Sequence, residues 1–193
     1  MSKKVDLNAY GQLADDISHV IISPDELHQR ITEIGAAITQ DYANRNPIFI
    51  GVLKGVVFFM ADLLRTLPFH VEVDFMAVAS YDPSARQRGV VRLEKDLNIP
   101  IENRHVIFVE DMIDTGLTLN YLLRSLRARQ PATLEICALF NKPRRRLIDI
   151  PIKYKGFDLP NRFVVGYGLD YREKYRHLPF IGQLKADVLP SDD

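Results

Sequence analysis

A chain of 193 residues, 47% hydrophobic and 26% charged, has the size and makeup of one globular domain with a sizeable core. Lys plus Arg and Asp plus Glu each total 25, so the formal net charge is zero. That balance excludes a global field pulling the protein onto nucleic acid or an anionic membrane, and leaves any strongly anionic ligand to be held by a local site. The single cysteine, Cys137, excludes an intramolecular disulfide and fits a reducing compartment; set in the apolar run LEICALF, it reads as a small buried hydrophobe.

In chain order, the N-terminal MSKKVDLNAY has no long apolar stretch behind its lysines and does not read as a secretory signal, so a cytoplasmic location is expected. Ser23-Pro24-Asp25-Glu26 combines a capping serine, a proline at the first helical position and a glutamate three residues on, which predicts a helix from there to about Asn44. IFIGV at 48–52 reads as a buried strand, followed by a Lys54-Gly55 turn and a helix to about Arg65. The apolar run IFIGVLKGVVFFMADLL around that turn is interrupted by Lys54 and two glycines and falls short of the ~20 residues a membrane-spanning helix needs.

HVEVDFMAVAS at 70–80 alternates like a strand, YDPSARQR is a polar loop, and GVVRLEK at 89–95 resumes in extended form as the far arm of a long hairpin. HVIFV at 105–109 is another buried strand, EDMIDTG a loop, LTLNYLLRSLRAR a helix, and ATLEICALF the next strand. This order predicts an α/β fold with a central, mostly parallel twisted sheet flanked by helices. Past Pro143, short extended pieces alternate with Pro and Gly. The expected organisation is one domain over 1–193, with a core at about 40–145 and a small irregular hood built from the N-terminal segment and about 146–193.

The chemistry concentrates in EDMIDTGLT, residues 110–118, a loop between a buried strand and a helix. Ligands gather at the carboxyl ends of parallel strands, and a helix N-terminus offers free N–H groups and the positive end of its dipole to an anion. Gly116 lets the backbone turn tightly, and Thr115 and Thr118 add hydroxyl donors, so the segment can enclose a monophosphate without a cationic side chain. Glu110, Asp111 and Asp114 would repel that phosphate unless they have other work: adjacent carboxylates suit the two hydroxyls of a ribose and an Mg²⁺ that keeps its waters and bridges to a pyrophosphate. The bland alternative is a solvated acidic turn capping a helix. A P-loop reading fails because G-x-x-x-x-G-K-[ST] is absent; Asp114-Thr115-Gly116 matches the aspartic-protease triplet but occurs once; and Gly166-x-Gly168 is followed at 171 by Tyr171, which breaks a dinucleotide fingerprint.

The whole segment VIFVEDMIDTGLTL, 106–119, resembles the phosphoribosyl pyrophosphate (PRPP) motif of type I phosphoribosyltransferases, and most closely that of the hypoxanthine-guanine phosphoribosyltransferases. The resemblance also covers IGVLKG at 50–55, Ser80-Tyr81, FNKP at 140–143 and RFVVGYGLDY with Arg176 downstream, so it spans roughly residues 10–185. It implies a purine-salvage enzyme that transfers the phosphoribosyl group of PRPP to hypoxanthine or guanine, with Mg²⁺ as cofactor, and a homodimer or homotetramer; the neutral charge and the lack of a membrane segment lead us to expect no nucleic-acid or membrane partner.

Residue by residue, the resemblance implies that Glu110 and Asp111 hold the ribose hydroxyls and metal, and that Asp114, Thr115, Gly116, Leu117 and Thr118 bind the 5′-phosphate, with Asp114 also the general base. Leu53, Lys54 and Gly55 would form a pyrophosphate loop containing a cis peptide between the first two, and Arg176 would meet the same group. Lys142 would donate to the purine 6-oxo group, which a 6-amino group cannot accept; Phe163 would stack on the ring, Val164 would bond its edge, and Asp170 would bind a second Mg²⁺ or lie near the 2-substituent. Ser80 and Tyr81 would close as a lid, although Asp82-Pro83 departs from the small residue common there in relatives.

On pattern alone Phe163 would be core, Lys54 and Lys142 solvated lysines, and Arg144, Arg145 and Arg146 a solvated turn or a nucleic-acid patch. The five histidines lack ligand spacing. The rival functions are a regulator of the same fold that binds PRPP and nucleic acid without catalysis, and a dimeric aspartic protease.

Overall fold

The computed structural model describes residues 5–79 and 92–189. Ser80, Tyr81 and the Asp82-Pro83 departure lie outside the described residues. After a 3-10 turn, Leu7–Tyr10, the elements run α1 (Gln12–Asp15), β1 (Ile17–Ile22), α2 (Pro24–Tyr42), β2 (Ile48–Leu53), α3 (Val56–Arg65), β3 (Glu72–Val78), β4 (Leu93–Lys95), β5 (His105–Ile113), α4 (Leu117–Arg127), β6 (Thr133–Asn141), β7 (Tyr154–Asp158), β8 (Val164–Val165) and β9 (Ile181–Leu184).

Six strands form one sheet in the order β4-β3-β2-β5-β6-β7. β3, β2, β5, β6 and β7 are parallel, and β4 closes the edge antiparallel to β3 as the hairpin reading required. The near-continuous apolar runs of the central strands reflect burial on both faces. Phe49, Ile107, Val109, Cys137 and Leu139 point into a core completed by Leu27, Ile31, Ile34 and Ile38 of α2 and Phe59, Met60 and Leu63 of α3. Their strand neighbours Ile48, Ile50, Val106, Phe108, Ile136 and Ala138 point the other way, against Leu119, Leu122, Leu123 and Leu126 of α4. Cys137 is fully buried on the α2 and α3 side, and burial pushes its thiol pKa up, which keeps it an inert hydrophobe.

α2 starts where its capping box predicts: the Ser23 hydroxyl accepts from the Glu26 amide at 3.3 Å and the Glu26 carboxylate accepts from the Ser23 amide at 2.8 Å. Among the described residues no helix is long and apolar enough to cross a membrane.

Two boundaries differ from the sequence reading. The segment from about 146 onward is not confined to a hood: β7 extends the main sheet in register with β6, Cys137 opposite Tyr154 and Asn141 opposite Asp158. Gly156 makes that pairing close, since a Cβ there would stand 2.2 Å from the Leu139 carbonyl oxygen. What remains outside the main sheet is a three-stranded antiparallel sheet, β1-β9-β8, around Ile17, Val165, Tyr175, Phe180 and Leu184. In addition, β5 continues past Val109, pairing Glu110 with Ala138 and Ile113 with Asn141, so the loop before α4 is only Asp114–Gly116. The carboxylates of 110 and 111 interrupt the apolar run without interrupting the backbone ladder.

Three tyrosine hydroxyls tie later segments to earlier ones, each donating to an aspartate at 2.6 Å: Tyr154 to Asp41 of α2, Tyr167 to Asp62 of α3, and Tyr175 to Asp16 beside β1.

Candidate active site

The carboxyl ends of β2, β5 and β6 converge on one region, and the chain returns to it after β8. Gly116 caps α4 with φ 83°, a left-handed conformation glycine adopts without a Cβ clash, and no side chain caps that helix end. Apart from the Leu117 amide, the first-turn amides of α4 have no side-chain acceptor among the described residues, and they lie at the end of a strand that has just delivered two carboxylates, the geometry of an anion cradle. Thr115 Oγ1 accepts from the Leu117 amide at 3.4 Å, and the Thr115 carbonyl accepts from the Leu147 amide at 3.0 Å, which fastens the loop to the β6–β7 connection. Leu117 and Thr118 begin the helix on an exposed turn.

At the end of β2 the Leu53–Lys54 peptide is cis. Gly55 comes next, packed so closely that a Cβ would fall 1.7 Å from Asp111 Oδ2; a Cβ on Gly168, whose φ is 97°, would stand 2.1 Å from the Gly55 carbonyl oxygen. Gly168 is therefore required by its close approach to backbone, Gly55 leaves the space that the Asp111 carboxylate fills, and together they bring the 53–55 loop, Asp111 and the 166–168 turn into one cluster. Arg176 joins it: Nη1 donates to the Gly168 carbonyl at 2.7 Å and Nη2 lies 2.9 Å from Asp170 Oδ1.

Burial raises the Asp111 pKa to about 6, opposed by the Met112 amide and the Arg176 charge and assisted by Asp170. Glu110 is driven well above the carboxylate range, first by burial and then by the neighbouring Asp111. Carboxylates so short of donors are suited to receive hydroxyls or a cation. Among the described residues, however, no group of three or more His, Cys, Asp or Glu is arranged to hold a metal ion. Glu110 and Asp111 are adjacent on β5, while Asp170, expected near a second ion, pairs with Arg176 and accepts from the Glu173 amide at 2.9 Å. The donors present fit instead a Mg²⁺ held by one or two carboxylates and otherwise by substrate oxygens.

Across the cleft, Lys142 comes directly after β6 and is only 5% exposed, its Nζ donating to the Arg162 carbonyl at 3.0 Å. Burial lowers its pKa, Asp114 opposes that shift and Arg145 adds to it, so the three charges sense one another. Asp114 Oδ1 lies 2.9 Å from Arg145 Nε but outside hydrogen-bonding geometry, leaving a buried carboxylate oxygen with no hydrogen-bond partner. Phe163, 36% exposed, meets Tyr171 edge-on at 5.4 Å, and Val164 is buried in β8. Phe163 is therefore not core, and the backbone of Arg162 links it to the Lys142 ammonium.

The structure thus draws Leu53, Lys54, Gly55, Asp111, Asp170 and Arg176 into one cluster and Asp114 and Lys142 into another, with the α4 N-terminus between them in sequence. Motifs in the sequence do not reveal Gly168, Arg145 or Glu173. Gly168 carries a signal, a glycine in a turn directly downstream of Phe163, but the dinucleotide motif it suggests is broken at Tyr171; Arg145 is hidden within a basic run; Glu173 has no motif at all.

A family model for the phosphoribosyl transferase domain matches residues 23–172. The hypoxanthine-guanine phosphoribosyltransferase of Streptococcus agalactiae is 47% identical over 176 residues, covering 91% of this chain and 98% of that protein. Among solved structures, the hypoxanthine phosphoribosyltransferase of Staphylococcus aureus superposes with a TM-score of 0.86 at 41% identity, covering 93% of this chain and 99% of that one. A hypoxanthine-guanine-xanthine phosphoribosyltransferase superposes with a TM-score of 0.81 at 44% identity, over 89% of this chain and 99% of that one. The regulator and protease readings find no support among these relatives, which align along nearly their whole length. The chain therefore belongs to the phosphoribosyl transferase domain family, and within it to the hypoxanthine-guanine phosphoribosyltransferases.

Proposed function

We propose that this protein transfers the phosphoribosyl group of PRPP to hypoxanthine or guanine, giving IMP or GMP and pyrophosphate in purine salvage. The observation that carries this reading is a buried ammonium, Lys142, electrostatically coupled to a carboxylate, Asp114, whose Oδ1 has no hydrogen-bond partner, beside a helix N-terminus whose N-cap is a glycine.

In this reading the amides of residues 114–118 and the Thr115 and Thr118 hydroxyls hold the 5′-phosphate, while Glu110 and Asp111 accept from the ribose hydroxyls. Lys54, the amides of the 53–55 loop and Arg176 hold the pyrophosphate group. Glu110 and Asp111 would hold an Mg²⁺ and Asp170 would lie near a second one; such an ion would supply charge neutralisation to the leaving pyrophosphate. Phe163 stacks on the purine, Val164 bonds its edge, and Lys142 donates to the 6-oxo oxygen, a contact that adenine cannot accept. As the bond from the anomeric carbon to pyrophosphate lengthens and the bond to the purine ring nitrogen forms, Asp114 takes the proton that the imidazole ring gives up. Ser80 and Tyr81 are proposed to cover the site and exclude water. We further propose a cytoplasmic homodimer or homotetramer, supported by the family resemblance and by a lone cysteine buried as a free thiol.

The test is to incubate the protein with Mg²⁺, PRPP and hypoxanthine, guanine, xanthine or adenine in turn and measure nucleotide. Product from the first two and none from adenine is expected; no product from any 6-oxopurine would end the assignment.

A further inference from the structure

The two cations assigned to pyrophosphate are already engaged: Arg176 pairs with Asp170 at 2.9 Å, and a second carboxylate, Glu173, reaches both Arg176 and Lys54. Glu173 Oε2 lies 3.0 Å from Lys54 Nζ, and Glu173 Oε1 lies 3.3 Å from Arg176 Nη2. Lys54 belongs to the loop after β2 and Arg176 to the segment after β8, so the two oxygens of a single side chain join two segments distant in sequence. The local backbone fixes it there: the Glu173 amide donates to Asp170 Oδ2 at 2.9 Å, and Arg172 and Glu173 have φ of 53° and 64°, a left-handed region that L residues avoid. The electrostatics agree, since hydrogen bonding from Lys54, with the charge of Arg176, holds the Glu173 carboxyl below its ordinary range.

We propose that Glu173 is an internal counter-ion that competes with the pyrophosphate group for Lys54 and Arg176 and thereby limits how tightly PRPP and the pyrophosphate product are held. The inference rests on the assignment of those two cations to pyrophosphate. A carboxylate offers one charge and two oxygens, so the more highly charged pyrophosphate displaces it. The Glu173 side chain is 57% exposed and can turn into solvent without moving the core. Each PRPP that binds must break both ion pairs, and each pyrophosphate that leaves lets them re-form. Replacing Glu173 should therefore improve binding, whereas loss of a purely structural salt bridge would leave binding unchanged or weaken it.

The experiment is calorimetric titration of inorganic pyrophosphate, in Mg²⁺ buffer without purine, into the wild-type protein and into Glu173→Gln, Lys54→Met and Arg176→Met. Glu173→Gln should bind pyrophosphate about two- to tenfold tighter, as expected for freeing two partly exposed ion pairs, with an advantage that narrows as salt is added. Its KM for PRPP should fall in step while the KM for hypoxanthine stays unchanged. Weakened binding by the Lys54 and Arg176 variants together with unchanged or weaker binding by Glu173→Gln would overturn the counter-ion role alone. Wild-type affinity in the Lys54 and Arg176 variants would overturn the pyrophosphate assignment, and the counter-ion role with it.

Discussion

Asp74 and Asp111 lie on parallel strands of the same sheet, yet burial has opposite outcomes for them. Asp74, on β3, is 6% exposed and accepts from the amides of Phe75 at 2.8 Å, Asn98 at 2.6 Å and Ile99 at 3.0 Å, and from Lys95 Nζ at 3.1 Å. Burial is the largest single influence on it and raises its pKa, but the four donors together outweigh burial and hold the carboxyl below its ordinary value. Asp111, at the carboxyl end of β5, accepts from the Met112 amide at 2.6 Å, and there burial wins. The difference lies in the count of donors. A carboxylate whose lone pairs are filled by its own chain pins the β3–β4 edge; one left short of donors stands ready for a ligand's hydroxyls or cation.

The largest expected effect breaks the ligand-facing side of this comparison while leaving the other intact. Asp114→Asn keeps the side-chain shape but removes the proton acceptor, so turnover should fall by about 10²- to 10⁴-fold while PRPP binding, measured by calorimetry, changes only a few-fold. Unchanged turnover would remove Asp114 as the base. Next in size is the opposite change, Asp74→Ala, which strips three amides and the Lys95 ammonium of their acceptor. It should cost about 3 kcal/mol of stability in a denaturant titration, with the turnover of the folded fraction preserved. A loss below about 0.5 kcal/mol would show that water replaces the carboxylate freely and that its donors are not structural.

The parts of the molecule governed by periodicity are legible in the sequence. The apolar runs IFIGV, HVIFV and LEICALF are strands with both faces buried, and the Ser23-Pro24-Glu26 cap marks the start of α2. The end of β5 is hidden because hydropathy drops at Glu110 while backbone pairing does not. β7 is hidden because Tyr154–Asp158 is short and polar, and its pairing depends on Gly156 lying against Leu139, a contact far removed in sequence. The candidate site divides in the same way. The local segment 110–118 can be read as a cradle directly, whereas Lys54, Lys142, Phe163, Asp170 and Arg176 enter only through the family resemblance. Arg145 and Glu173 act by pairing with Asp114 and Lys54, each distant in the chain, and no local pattern encodes such a partner.

The smallest effect concerns pH and sharpens the contrast between the two aspartates. The Asp111 pKa rises from 3.8 to about 6 on folding, so the folded protein holds that proton more tightly than the unfolded chain does. Its contribution to stability is then fully present below about pH 4 and is lost as pH rises through about 6, the reverse of Asp74, whose contribution is lost on acidification. Asp111→Asn should therefore stabilise the unliganded protein at about pH 7.5, by about 1 kcal/mol or less once solvent screening is allowed for. The same proton must leave before Asp111 can accept through both oxygens or meet a cation as an anion. Wild-type affinity for PRPP should accordingly weaken as pH falls below about 6, more steeply than that of Asp111→Asn. The phosphates of PRPP titrate identically in both measurements, so the difference between the two curves reports the Asp111 carboxylate together with its effect on Glu110. Parallel curves from about pH 5 to about pH 8 would place Asp111 beside Asp74 as a structural group and leave Glu110 alone to address the sugar.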